Sequence, residues 1–156
     1  MPTVRLQISP TPAQVRTARL VAAAVARRSG LAGGALDEIR LAVGEACSRA
    51  AGLHQEYAPS DLITVLLEDE GEFVVTVRDC APTGMHTEHI DPLAFLTDVG
   101  NAQHPVTGVI PSGFGIAVID GLVDDLEVVP ADSGPGTVVR MSWPLTTGVE
   151  CGRTRR

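Results

Sequence analysis

Two ionisable residues four apart, Glu45 and Arg49, fall in the run Leu36–Ala51, and a third, Asp79, closes a run of valines. On a helix, a spacing of four makes side chains neighbours along one stripe. Glu45 is set among Ala42, Ala46 and Ala50, small residues that partly desolvate a carboxylate, a setting suited to proton transfer. The plain alternative is an ion pair with Arg49. Arg49 could instead hold phosphate, since guanidinium pairs well with it. Asp79 follows Val74, Val75 and Val77, and strand ends are where a fold presents polar groups to a ligand. It could equally initiate a turn before Ala81-Pro82. Gly113-Phe114-Gly115 opens an apolar segment, where glycine lets backbone N–H groups close on phosphate oxygens. A flexible turn is the alternative there. His86, His89 and His104, with Glu88 and Asp91, have a spacing that could hold zinc, but a solvated loop is the favoured reading and no metal site is assigned.

The elements that must position these groups follow from periodicity. Leu36, Ile39, Val43, Cys47 and Ala50 recur at steps of three or four, which predicts an amphipathic helix carrying Glu45 and Arg49. Thr3–Ile8 alternates and predicts a strand. Ser9-Pro10-Thr11-Pro12 breaks it and opens a helix through Arg27 or Arg28, ending near Gly30. Leu62–Leu67 and Phe73–Arg78 are apolar and β-branched, joined by Glu68-Asp-Glu-Gly-Glu72 as a hairpin. Residues 80–112 lack clear periodicity, and a loop of that length is usually functional or mobile. Gly113–Leu122 predicts a helix, and Leu126–Val129 and Thr137–Trp143 the last strands, the latter opening on Thr137. The order β-α-α-β-β-loop-α-β-β implies an α+β fold. It would be a two-layer sandwich with a mixed, mostly antiparallel sheet and helices on one face. One domain is expected over residues 1–147, with 85–112 as a lid-type loop and 148–156 as a flexible tail.

Composition narrows the function. In 156 residues, 44% hydrophobic and 20% charged content argues against disorder. A net charge of −7 is a poor match for nucleic acid, which asks for a basic face, and it favours a basic protein partner. Nothing approaches an 18-residue apolar run, so no membrane partner is expected. The N-terminus lacks the order of a signal peptide. Three widely spaced cysteines, Cys47, Cys80 and Cys151, fit reduced thiols in a cytoplasmic protein.

Four blocks, in order, resemble the ATP-binding domain shared by histidine kinases, Hsp90, gyrase and MutL, and within it the bacterial anti-sigma factor serine/threonine kinases. They are Leu41-Ala-Val-Gly-Glu-Ala-Cys-Ser-Arg-Ala50, Val74-Val-Thr-Val-Arg-Asp-Cys-Ala-Pro-Thr-Gly-Met85, Ser112–Glu127 with its Gly-Phe-Gly, and Gly136-Thr-Val-Val-Arg-Met141. The resemblance implies ATP or ADP as cofactor. It implies that Asp79 accepts a hydrogen bond from the adenine amino group and that Thr137 lies near the base. Gly113 and Gly115 would end the loop that lids the phosphates, and Glu45 would be the general base that activates a serine hydroxyl. Departures are equally specific. Arg49 stands where the family has an Asn that ligates Mg²⁺; arginine offers only donors and positive charge, so Mg²⁺ is not expected in the usual way. The family's next-turn His falls on Leu53, with His54 displaced by one and expected to face elsewhere. Ala81 and Thr83 replace glycines, and Gly84 serves if one residue is inserted. The expectation is an anti-sigma-factor-like regulator that binds a sigma factor or anti-sigma antagonist with weakened or lost kinase activity. An active serine/threonine kinase and a nucleotide-free interaction module stay open as alternatives, as does a homodimer.

Overall fold

The computed structural model describes residues 3–82 and 114–145. In chain order they form β1 (Val4–Ile8), α1 (Pro12–Arg28), α2 (Gly34–Tyr57), β2 (Ile63–Glu70), β3 (Glu72–Arg78), α3 (Phe114–Asp120), β4 (Asp125–Pro130) and β5 (Thr137–Pro144). The five strands lie in the order β1-β2-β3-β5-β4, and every described pairing is antiparallel. The α+β class and the element order are therefore as the periodicity predicts.

Local chemistry sets the helix ends. Thr11 caps α1, its hydroxyl accepting from the Gln14 N–H, and Pro12 sits in the first turn, where its missing donor costs nothing. Arg27 and Arg28 close the helix at the negative end of its dipole. The Ser29 hydroxyl then donates to Asp69 at 2.9 Å and ties the end of α1 to β2.

The helix layer packs closely because its inner faces are small. Ala18, Ala22 and Ala26 of α1 and Ala42, Ala46 and Ala50 of α2 are all buried. The Arg19 stem crosses α2 at Gly44, where an added Cβ would lie 2.9 Å from the Arg19 Cδ. Larger side chains come from the sheet: Ile63, Val65 and Leu67 of β2, Phe73, Val75 and Val77 of β3, and Val139, Met141 and Trp143 of β5. Phe73 and Trp143 are cross-strand partners with ring centroids 6.2 Å apart. The Trp143 indole N–H donates to the Leu122 carbonyl, so its one polar atom is satisfied.

Two boundaries differ from expectation. The acidic stretch 68–72 is mostly strand: Glu68, Asp69 and Glu70 pair with Val74, Phe73 and Glu72, and the chain reverses at Gly71 with φ +79°. Charge at a solvent-facing hairpin tip does not interrupt a ladder, and glycine alone supplies the left-handed step. Helix α2 also runs on past Gly52 to Tyr57, because Leu53 and His54 continue its buried stripe.

Cys47 lies in the middle of that stripe, and burial pushes its thiol up to about 12. Thiolate is the reacting form, so Cys47 should be inert in the folded chain. In a Cys151→Ser background at pH 8, a chromogenic disulfide reagent should label only Cys80, slowly, until denaturant is added. Rapid labelling of two thiols without denaturant would contradict this packing.

Candidate functional site

The site is built around one carboxylate. Asp79 stands one residue beyond β3 and is 1% exposed. Its Oδ1 accepts from the backbone N–H groups of Ala81 at 3.0 Å and Thr137 at 3.2 Å, and its Oδ2 accepts from Arg49 Nη1 at 3.3 Å. The Asp79 N–H also donates to the Thr137 carbonyl at 3.0 Å, which carries the β3–β5 ladder one step further. That approach depends on Gly136. A Cβ there would overlap the Asp79 carbonyl oxygen, and the backbone has φ +129°. Glycine meets both demands.

Arg49 reaches Asp79 from α2, with side-chain exposures of 6% and 1% for the pair. Burial lowers the Arg49 pKa, and the charge and hydrogen bond of Asp79 work against that fall. The guanidinium stays charged. The alternative pairing of Arg49 with Glu45 does not occur among the described residues, whose ion pairs are Arg40–Asp37, Arg49–Asp79 and Arg140–Asp125. A buried carboxylate left unpaired costs far more than a partly exposed one on a helix, so Asp79 has the stronger claim on the cation. Glu45, one turn earlier on α2, faces α3 instead; a Cβ at Gly115 would lie 3.4 Å from its Oε2.

The structure thus brings together Arg49, Asp79 and Thr137, and separately Glu45 and Gly115. Thr137 takes part through its backbone N–H and carbonyl. Gly84, Gly113, the loop 85–112 with His86, His89 and His104, and the tail 148–156 lie outside the described residues.

His54 is the residue that sequence reasoning missed. Expected to face elsewhere, it is fully buried, and its Nε2 accepts from the Cys80 N–H at 2.9 Å. A backbone donor on Nε2 leaves the proton on Nδ1, which donates to the Asp61 carbonyl at 3.0 Å. The ring is therefore neutral and pins the segment after Asp79 to α2. The signal was present: Val43, Cys47, Ala50 and His54 continue one stripe at steps of three and four.

The donor set fits one class of ligand better than another. The Asp79 carboxylate is an acceptor whose Oδ2 takes one bond among the described residues, from Arg49. Arg49 offers no oxygen to a metal ion, and the described residues contain no cluster of three or more His, Cys, Asp or Glu able to hold one.

Residues 8–143 match the model of the histidine kinase-like ATPase domain. The chain belongs to that family, as its four sequence blocks indicate. Its fold is similar to that in the crystal structure of the RsbU and RsbW domains of Rv1364c from Mycobacterium tuberculosis, with a TM-score of 0.62 over 93% of this chain and 16% sequence identity. The chain spans 33% of that polypeptide. No curated protein sequence matches. Among the described residues, no helix is long and apolar enough to cross a membrane.

Two substitutions test the supports of Asp79. Gly136→Ala should lower stability by on the order of 3 kcal/mol, through both backbone strain and overlap with Asp79. His54→Leu stays close to the histidine volume but leaves the Cys80 N–H without an acceptor and the Asp61 carbonyl without its donor, and should cost about 1–3 kcal/mol. Urea unfolding followed by circular dichroism measures both. A Gly136→Ala chain as stable as the parent would show that the two strand ends do not meet as described.

Proposed function

We propose that this chain is a regulator of the anti-sigma type, which binds a sigma factor or an anti-sigma antagonist through a histidine kinase-like ATPase domain with weakened or lost Mg²⁺-dependent phosphotransfer. The observation that carries the reading is Arg49. At the helix position where the family places a metal-ligating Asn, this chain has a guanidinium held against Asp79 at 3.3 Å. The carboxylate that the resemblance assigns to adenine is retained, while the metal ligand is replaced by a cation. ATP or ADP is then a weak ligand, with Asp79 and the Thr137 region at its base end and Arg49 supplying positive charge to its phosphates. Gly84, Gly113 and Gly115 complete the proposed nucleotide contacts on the family pattern. The protein would act in the cytoplasm as a single ATPase-like domain, with its helical face and lid-type loop available to a protein partner.

The active-kinase reading keeps one specific support. Glu45 is not consumed by Arg49 and packs against Gly115 at the start of α3, so its carboxylate stays available as a general base.

Titration calorimetry with ATP, with and without Mg²⁺, separates these readings. Binding should be weak, and Mg²⁺ should change it by no more than about 1 kcal/mol, a few-fold in affinity. A strong gain with Mg²⁺ would show that the metal site survives. Radiolabel transfer to an antagonist serine should be slow or undetectable, and Arg49→Asn should raise it. Robust transfer by the unmodified chain, abolished by Glu45→Ala, would establish the active kinase.

A further inference from the structure

We infer that Arg49 is an internal latch on the nucleotide pocket: its guanidinium occupies the Asp79 oxygen that a ligand's amino group would use, and binding exchanges one donor for the other. The inference rests on the nucleotide reading above and specifies how that site is regulated.

Among the described residues three bonds reach the Asp79 carboxylate, and they are unequal. Oδ1 is held by two backbone N–H groups, that of Thr137 at the start of β5 and that of Ala81 in the turn that follows Asp79. Oδ2 is held by Arg49 through one nitrogen at 3.3 Å, longer than the 2.7–2.9 Å typical of a charge-assisted bond and without the paired geometry of a guanidinium fork. The Thr137 bond cannot leave without opening the β3–β5 ladder, and the Ala81 bond is a turn closed two residues along the chain. The arginine bond can leave by side-chain rotation about α2. Oδ2 is thus the exchangeable face of a carboxylate whose other oxygen is fixed, and exchange does not disturb the fold.

Exchange has a chemical requirement. Asp79 is buried, so whatever displaces the guanidinium must donate a hydrogen bond in its place. The displaced guanidinium, itself largely buried, must in turn meet an anion. A ligand with an amino-bearing base at one end and phosphates at the other satisfies both. A nucleoside satisfies only the first. The latch therefore selects nucleotide over nucleoside, and its closed state reduces the apparent affinity of either by the fraction of molecules in which it is open.

The test is a cycle in which Arg49 and the ligand's phosphates are each removed. Adenosine and ADP are titrated without divalent cation into the unmodified chain and into Arg49→Gln. Adenosine should bind Arg49→Gln about tenfold more tightly than the unmodified chain, because the glutamine amide is shorter and uncharged and competes less strongly for Oδ2 than the guanidinium. The preference for ADP over adenosine should shrink by a similar factor, because the phosphates have lost their partner. Adenosine binding equal to or weaker than that of the unmodified chain overturns the latch and leaves the nucleotide reading standing. No binding of either ligand by either chain overturns both. Should Arg49→Gln fail to fold, the unmodified chain carries the test by nuclear magnetic resonance. Saturating ADP should move the Arg49 Nε–H signal to a new position, and a signal that stays in place at saturation overturns the exchange.

Discussion

A single buried negative charge organises this molecule around its site. The Asp79 carboxylate is almost entirely removed from water, and an unpaired charge there would cost several kcal/mol. Each of its partners is therefore under constraint. Thr137 must present its N–H at the first step of β5, Ala81 must turn its N–H back two residues, and Arg49 must extend off α2. Gly136 is what lets the strand ends come close enough, and His54 holds the next peptide along. The sheet layer and the helix layer are thus joined at the carboxylate by polar bonds with defined direction, not only by apolar packing.

The alanine faces make that joint geometrically possible. Two helices with Leu or Phe at their contacts would stand further apart and further from the sheet, and an arginine on α2 would then have to span a longer gap. Ala42, Ala46 and Ala50 bring α2 down, and the Arg19 stem closes over Gly44 from above. The same packing divides the surface charge. Helix α1 carries Arg16, Arg19, Arg27 and Arg28 and no acidic residue, whereas the β2–β3 tip carries Glu68, Asp69, Glu70 and Glu72. A net charge of −7 therefore misdescribes the individual faces. Steering of a partner depends on the face it approaches, and α1 is locally basic in a chain that is acidic overall.

Much of this was legible in the sequence. The stripe Leu36, Ile39, Val43, Cys47 and Ala50 placed α2 and its inner face, and alternation placed the strands in their order. Those signals are local, and local periodicity survives folding. The partner of Arg49 was not legible. Glu45, four residues away, is the obvious candidate on a helix; Asp79 is thirty residues distant and becomes the partner only when β3 ends beneath α2. The displaced position of His54 read as a departure from the family, yet the buried stripe continues onto it. The demand on Gly136 was invisible for a related reason: a glycine before a strand is common, and only the carbonyl of Asp79 shows why no side chain fits. What sequence withheld in each case was a contact between distant segments.

On the proposed nucleotide reading, arginine in place of a metal-ligating asparagine changes the charge of the site. An asparagine oxygen waits for a cation that arrives with the nucleotide, so charge compensation comes with the ligand. A guanidinium is a permanent cation, and in the absence of ligand it must be compensated from within the protein. Among the described residues Asp79 is the anion that Arg49 reaches, and the resemblance assigns the same carboxylate to adenine. On that reading, a fixed positive charge in this fold couples the two ends of the proposed nucleotide site. The phosphate end cannot be rid of its counter-ion requirement without occupying the base end, and the base end cannot be freed until an anion takes the guanidinium. On the proposed reading, the site tests for a ligand that carries a donor and an anion together.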